Sequence, residues 1–219
     1  MTVTASGEML QPLNIFKGKP GGRIEKTECG TYAPNAVYAC QDAAWMDERV
    51  MRMWVEKVLK PFVDDVPENI TPLLLLDSYR CHTMASVKSD IEVLGIEVQI
   101  IPGGCTGMCQ PVDVGIGKPL KTRARHLWEE WMVSEISSNP DGPCCHASRA
   151  QMSQWIHTSF NEIKLSNRMI AYNSWRHHQF TYFPNEPARA AVAPPNAPAA
   201  QVLDPGWDDT DDSTSSESE

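Results

Sequence analysis

No stretch of this sequence is apolar for long enough to cross a bilayer. Its most aliphatic run is the four leucines at 73–76, against the ~20 residues that a spanning helix needs. No leader-like pattern opens it, and no segment recurs at a fixed period, which excludes solenoids and propellers. The cysteines number seven; an odd count excludes a fully paired disulfide framework and fits free thiols in a reducing compartment. An excess of positive charge is also lacking, since 19 Lys and Arg face 28 Asp and Glu for a formal charge of −9.

That charge is unevenly spread. From Pro184 onward there are eight acids and one base, Arg189, so the body before it is close to neutral. An acidic total therefore does not exclude nucleic-acid binding, which needs only a local basic stripe. The length suits one domain with a core plus a tail: residues 1–183 as the domain, then an Ala/Pro-rich and finally Asp/Ser-rich segment, 184–219, expected to be disordered. Acidic tails of this kind attract basic partners, chromatin proteins among them.

Within the body, residues 2–6 and 12–16 read as a β-hairpin closed through Gly7-Glu8, and 18–34 as a Gly- and Lys-rich loop. Val37–Cys40 reads as a short strand. Asp47 is a good N-cap for a helix whose Met51, Trp54, Val55, Val58, Leu59 and Phe62 recur at helical spacing, with Pro61 and Pro67 as its stop. Leu73–Asp77 reads as a fully buried strand. A helix with Met84, Val87, Ile91 and Leu94 on one face follows, closed by Gly95, and Ile96–Ile101 is the next strand. Strand, helix, strand of this length is a right-handed parallel crossover. The fold class is thus α/β, a mixed sheet flanked by helices, antiparallel at its first edge. Pro119 opens a helix with Leu120, Ala124, Leu127, Trp131 and Met132 inward. Met152, Trp155, Ile156, Phe160 and Ile163 mark another, and Ser166 caps a last one through Trp175.

The chemistry gathers at two points. Asp77 ends a strand, where open α/β sheets place their ligands. Asp113 follows 36 positions later, after Gln110-Pro111, and opens a basic helical segment. Carboxylates on two rigid elements suit hard divalent cations of the kind used to cut phosphodiesters; the plainer alternatives are a turn-forming Asp77 and a helix-capping Asp113. His82 can orient Asp77, or be an ordinary hydrogen-bonding histidine. Gln110 can fix the turn that aims Asp113, or touch DNA itself. Lys118, Lys121, Arg123 and Arg125 can touch phosphates, or form a solvated helix face; Lys17, Lys19, Arg23 and Lys26 offer a second basic group. Cys105 and Cys109, or Cys144, Cys145 and His146, could be zinc ligands, but their spacing fits no common finger.

Asp77-x-x-x-x-His82, the helix after it, the strand ending at Pro102, Gln110-Pro111-x-Asp113 and Pro119-Leu120-Lys121 together resemble the DDE superfamily endonuclease domain of pogo-, Tigger- and jerky-type transposases. Thr2-Val3-Thr4, Gly7-Glu8, Ile15–Lys19 and Trp45 fit the same pattern, over roughly residues 1–180. The resemblance implies a ribonuclease-H-like sheet, a nuclear protein that binds DNA, and Mg²⁺ or Mn²⁺ held by Asp77 and Asp113 as metal-binding and catalytic residues, with His82 and Gln110 behind them. It also implies a third carboxylate on a strand before Thr2-Val3-Thr4. Glu8, Glu25 and Glu28 do not match that position. The expectation is therefore a sheet with its first strand missing, metal binding weakened or lost, and a catalytically incomplete nuclease domain. The alternatives are a domesticated DNA- or chromatin-binding protein that does not cut, and a nonfunctional transposon fragment.

Overall fold

The computed structural model describes residues 1–143, 145–166 and 168–177; the tail expected from residue 184 lies outside them. Among the described residues the protein is a mixed α/β fold with two small parallel sheets. Strands β1 (Leu13–Lys17) and β2 (Val37–Gln41) pair in parallel, Leu13 opposite Val37. Strands β3 (Leu73–Asp77) and β4 (Glu97–Ile101) do the same, Leu73 opposite Glu97.

The first hairpin forms in a different register from the expected one. Thr4 and Gly7 close a tight turn, with the Gly7 N–H on the Thr4 carbonyl at 3.0 Å and Gly7 at φ 84°, a region open to glycine at little cost. Val3 therefore faces Met9 in an isolated antiparallel bridge, and 12–16 is left free. Those residues pair instead with β2, and the link between them contains the short helix α1 (Arg23–Thr27). Parallel strands require such a crossover. The segment read as a plain loop is thus a connection with its own helical turn.

Helix α2 (Glu48–Trp54) starts as its sequence directs: the Asp47 carboxylate accepts from the Val50 N–H at 2.9 Å, a cap worth ~1 kcal/mol. Pro61 does not stop it. A π turn, Val55–Leu59, leads into α3 (Lys60–Asp64). The Lys60 N–H reaches back to Val55, so the wider turn makes room for a proline that would clash with the carbonyl four residues earlier. The expected inward face is buried at Met51, Trp54, Val55, Val58 and Leu59. With Leu76, Ile96 and Val87 and Ile91 of α4 (Ala85–Glu92) it forms the larger core cluster. Gly95, at φ 74°, ends the turn after α4.

β3 is less buried than four leucines suggest. Leu76 is 8% exposed but Leu73 is 56% exposed. The strand pairs only with β4 among the described residues, and all four leucines help line a cavity.

The rest is helical. The turn α5 (Thr106–Cys109) leads through Gln110 into a π turn, Val112–Ile116, and α6 (Gly117–Ser138). Helices α7 (Arg149–Ser166) and α8 (Arg168–His177) follow. Ser166, expected as a cap, ends α7. α6 buries no residue fully; its expected inner face is half-buried, with Trp131 against Trp155 at 5.5 Å between ring centres. A second core cluster joins Val3 and Met9 to Ile116, Phe160, Ile163 and Ala171. Here α8 passes so near the π turn that a Cβ on Gly115 would collide with that of Ser174, and glycine is required.

Candidate metal and nucleic-acid site

Asp77 sits at the open end of β3, and its seat is built by the next five residues. The Tyr79 N–H donates to Asp77 Oδ1 at 3.0 Å. A 3₁₀ turn, Arg80–Thr83, brings His82 Nδ1 to the same oxygen at 2.5 Å. Both contacts use Oδ1, and Oδ2 has no protein donor among the described residues. The Tyr79 and His82 rings meet edge-on at 5.7 Å. The His82 ring and the Tyr79 N–H therefore meet the same oxygen of Asp77.

Asp113 arrives from the helical side. Pro111 has helical dihedrals, and the Gln110 carbonyl accepts from both the Asp113 and Val114 N–H groups at 3.1 Å. Gln-Pro therefore sets the first turn and the direction in which Asp113 leaves it. The Gln110 side chain leaves a buried carbonyl oxygen without a partner among the described residues. Asp113 is open to solvent on its cavity side, yet the protein around it and, next, the charge of Asp77 raise its pKa above the ordinary carboxylate value; Lys121 and the Met1 ammonium oppose that rise.

Asp77, His82, Gln110 and Asp113 line one cavity of about 780 Å³, so the structure brings the strand-borne and helix-borne candidates together. Two carboxylates that repel each other across a cavity, with one uncommitted oxygen on Asp77, fit a hard divalent ion, whose charge would offset that repulsion. Among the described residues no group of three or more His, Cys, Asp or Glu side chains converges. The zinc reading of Cys105 and Cys145 gains nothing there, and Cys144 lies outside those residues.

The basic candidates divide. Lys118, Lys121 and Arg125 are on α6 and reach solvent, and Lys121 is close enough to act on Asp113. Arg123 is committed elsewhere: its guanidinium grips the Glu162 carboxylate at 2.6 and 2.9 Å, pinning α6 to α7. Motif and spacing gave no role to Tyr79, or to Trp45 beyond its fit to the family pattern; both line the cavity. The sequence signal for Tyr79 was its place two residues after Asp77.

The fold and the site define a class: an α/β domain in which a strand end and a helical turn present two carboxylates to one cavity. The chain belongs to the DDE superfamily endonucleases, whose family profile matches residues 1–173. It is 30% identical over 168 residues to the mouse protein "Pogo transposable element with KRAB domain", covering 74% of this chain and 26% of that one. The human protein of the same name is 28% identical over the same shares. Human "Pogo transposable element with ZNF domain" is 19% identical over 130 residues, 59% of this chain and 9% of that one. The chain thus spans about a quarter of the length of the first two relatives. No solved structure matches it. Among the described residues no helix is long and apolar enough to cross a membrane.

Proposed function

We propose that this transposase-derived domain, residues 1–183, is a nuclear DNA-binding module of ribonuclease-H-like type in which Asp77 and Asp113 are the metal-binding carboxylates. The observation that carries the reading is that both line one cavity, where burial and then the charge of Asp77 raise the pKa of Asp113. Mg²⁺ or Mn²⁺ bound there would activate the attacking oxygen and neutralise the leaving one in phosphodiester cleavage. The chain's own residues do the rest. His82 and the Tyr79 N–H hold Asp77 in one orientation, Gln110 aims Asp113, and Lys118, Lys121 and Arg125 take the phosphates beside it. Arg123 contributes less, because Glu162 occupies its fork.

Two carboxylates hold one ion loosely; a family nuclease uses three. The cavity that holds both carboxylates runs between Met1–Ala5 and β3. The Val3 backbone groups and the backbone of Leu73, Leu75 and Asp77 face away from their ladders, and such edges are templates for another strand. With no third acidic side chain converging there among the described residues, this reading gives DNA binding without cutting.

The test is a plasmid-nicking assay with Mg²⁺ or Mn²⁺, beside filter binding at two salt concentrations. Expected are salt-sensitive binding and no nicking. Nicking abolished by Asp77→Asn would show two carboxylates to be sufficient. Failure to bind DNA even at low salt would remove the DNA reading itself.

A further inference from the structure

The cavity wall beside Asp77 carries two aromatic side chains that the core does not use. Trp45 is 65% exposed and Tyr79 39% exposed, while Trp54 and Trp155 are 7% and 8% exposed. Both line the cavity that holds Asp77, His82 and Asp113. Tyr79 reaches the backbone of the residue after Trp45, and the backbone at both positions is held by hydrogen bonds. The Tyr79 hydroxyl donates to the Met46 carbonyl at 3.4 Å, next in sequence to Trp45. Tyr79 is tied to Asp77 through its N–H. The Trp45 N–H donates to Gln41 Oε1 at 3.2 Å, and the Ala43 N–H to the same oxygen at 2.7 Å.

An indole and a phenol this exposed, on backbone held by hydrogen bonds, form an apolar surface awaiting a cover. The surroundings say what kind. Lys118 and Lys121 lie at the start of α6, just after the π turn that carries Asp113, and in the DNA-binding reading they make the ligand anionic as well as flat and aromatic. An unstacked nucleobase on a phosphate backbone has both properties, because every base has a π face and stacks on aromatic side chains without regard to sequence.

We infer that Trp45 and Tyr79 are a stacking platform for an unpaired base of the DNA strand whose phosphate lies at Asp77 and Asp113, so that the site selects DNA with unpaired nucleotides over intact duplex. This rests on the DNA-binding reading above and adds the form of DNA that the site takes.

The probe is a short duplex with a two-nucleotide overhang whose first unpaired base is 2-aminopurine, compared with the blunt duplex, with Ca²⁺ present as a hard oxygen-seeking ion. Wild-type protein should quench the 2-aminopurine and bind the overhang about tenfold tighter, within the range that one stacked base supplies. Trp45→Ala and Tyr79→Ala should each lose most of the quenching and the preference, while Trp45→Phe and Tyr79→Phe keep them. Lys121→Glu should weaken both probes alike and leave the preference intact. Unchanged quenching and preference in Trp45→Ala and Tyr79→Ala, with Lys121→Glu still weakening both probes, overturns the platform and spares the DNA reading. If neither probe binds the wild-type protein, both fall together.

Discussion

The two carboxylates reach one cavity from seats of opposite construction. Asp77 stands at the end of a strand whose apolar face packs into the larger core, and two donors fix one of its oxygens. Asp113 stands on a π turn, and among the described residues no donor fixes its side chain. Backbone bonds to Gln110 and the packing of Ile116 and Gly115 beneath it hold it in place. Asp77 is satisfied locally, within five residues of sequence. Asp113 is placed by distant parts of the chain and raised in pKa by burial and by Asp77. A paired site of this kind has one partner that is pre-oriented and one that a cation would relieve.

The largest expected effects come from the packing under each seat. Ile91→Ala beneath the strand and Ile116→Ala beneath the π turn each remove a fully buried side chain and should cost about 2–5 kcal/mol in urea unfolding. Only the second moves Asp113, so thermal stabilisation by Mn²⁺ should survive Ile91→Ala and shrink in Ile116→Ala. Equal loss in both would mean that the two seats are not separable. Gly115→Ala, forced against Ser174, should cost about 1–3 kcal/mol. Adding Ser174→Gly should recover part of it, and no recovery would count against that contact.

The next effects are on the ion. His82→Ala should weaken Mn²⁺ binding by about tenfold in calorimetry, as removal of a group that orients a ligand does. Asp77→Asn should do at least as much. An unchanged affinity in His82→Ala would show that Asp77 needs no orienting partner.

Asp113 predicts a pH dependence whose sign can be worked out. Its native pKa lies above the ordinary carboxylate value, so the folded state holds this proton more tightly than the unfolded state does. The resulting stability is present at low pH and is lost as pH rises from the ordinary value through the raised one. Above that window Asp113→Asn should be slightly more stable than wild type without metal, and less so once Mn²⁺ is added. Mn²⁺ affinity of the wild type should climb across the same window as the ion displaces the proton. Melting curves with and without metal at several pH values check both. A variant less stable than wild type at neutral pH would mean that Asp113 is not held against its preference.

The smallest effects distinguish the basic residues. Lys121→Glu should flatten the salt dependence of DNA binding by about one unit of slope for each phosphate that is no longer neutralised, whereas Arg123→Gln should change it less. Glu162→Gln, which frees Arg123, should tighten binding slightly. Equal effects of Lys121→Glu and Arg123→Gln would contradict the division that the Glu162 ion pair makes.

Sequence by itself determined the parts whose causes are local. Asp47 capped its helix, the inward face from Met51 to Leu59 was buried, Gly95 closed the turn after α4, and β3, α4 and β4 followed in the expected order, because caps, helical spacing and short parallel crossovers act over a few residues. The family was legible too, from the order and spacing of its short motif pieces. Tertiary structure decided what depends on partners far along the chain. β1 paired with β2 rather than with residues 2–6, because the tight turn at Gly7 used up the near partner. The helix ran on through Pro61, because a π turn widened to admit it. Leu73 stayed half in water because, among the described residues, only one of β3's edges is paired. Arg123, indistinguishable in sequence from its basic neighbours, was taken by a glutamate 39 residues away. A residue's type and its near neighbours fix what it can do; which contact it spends itself on depends on what the fold carries to its side.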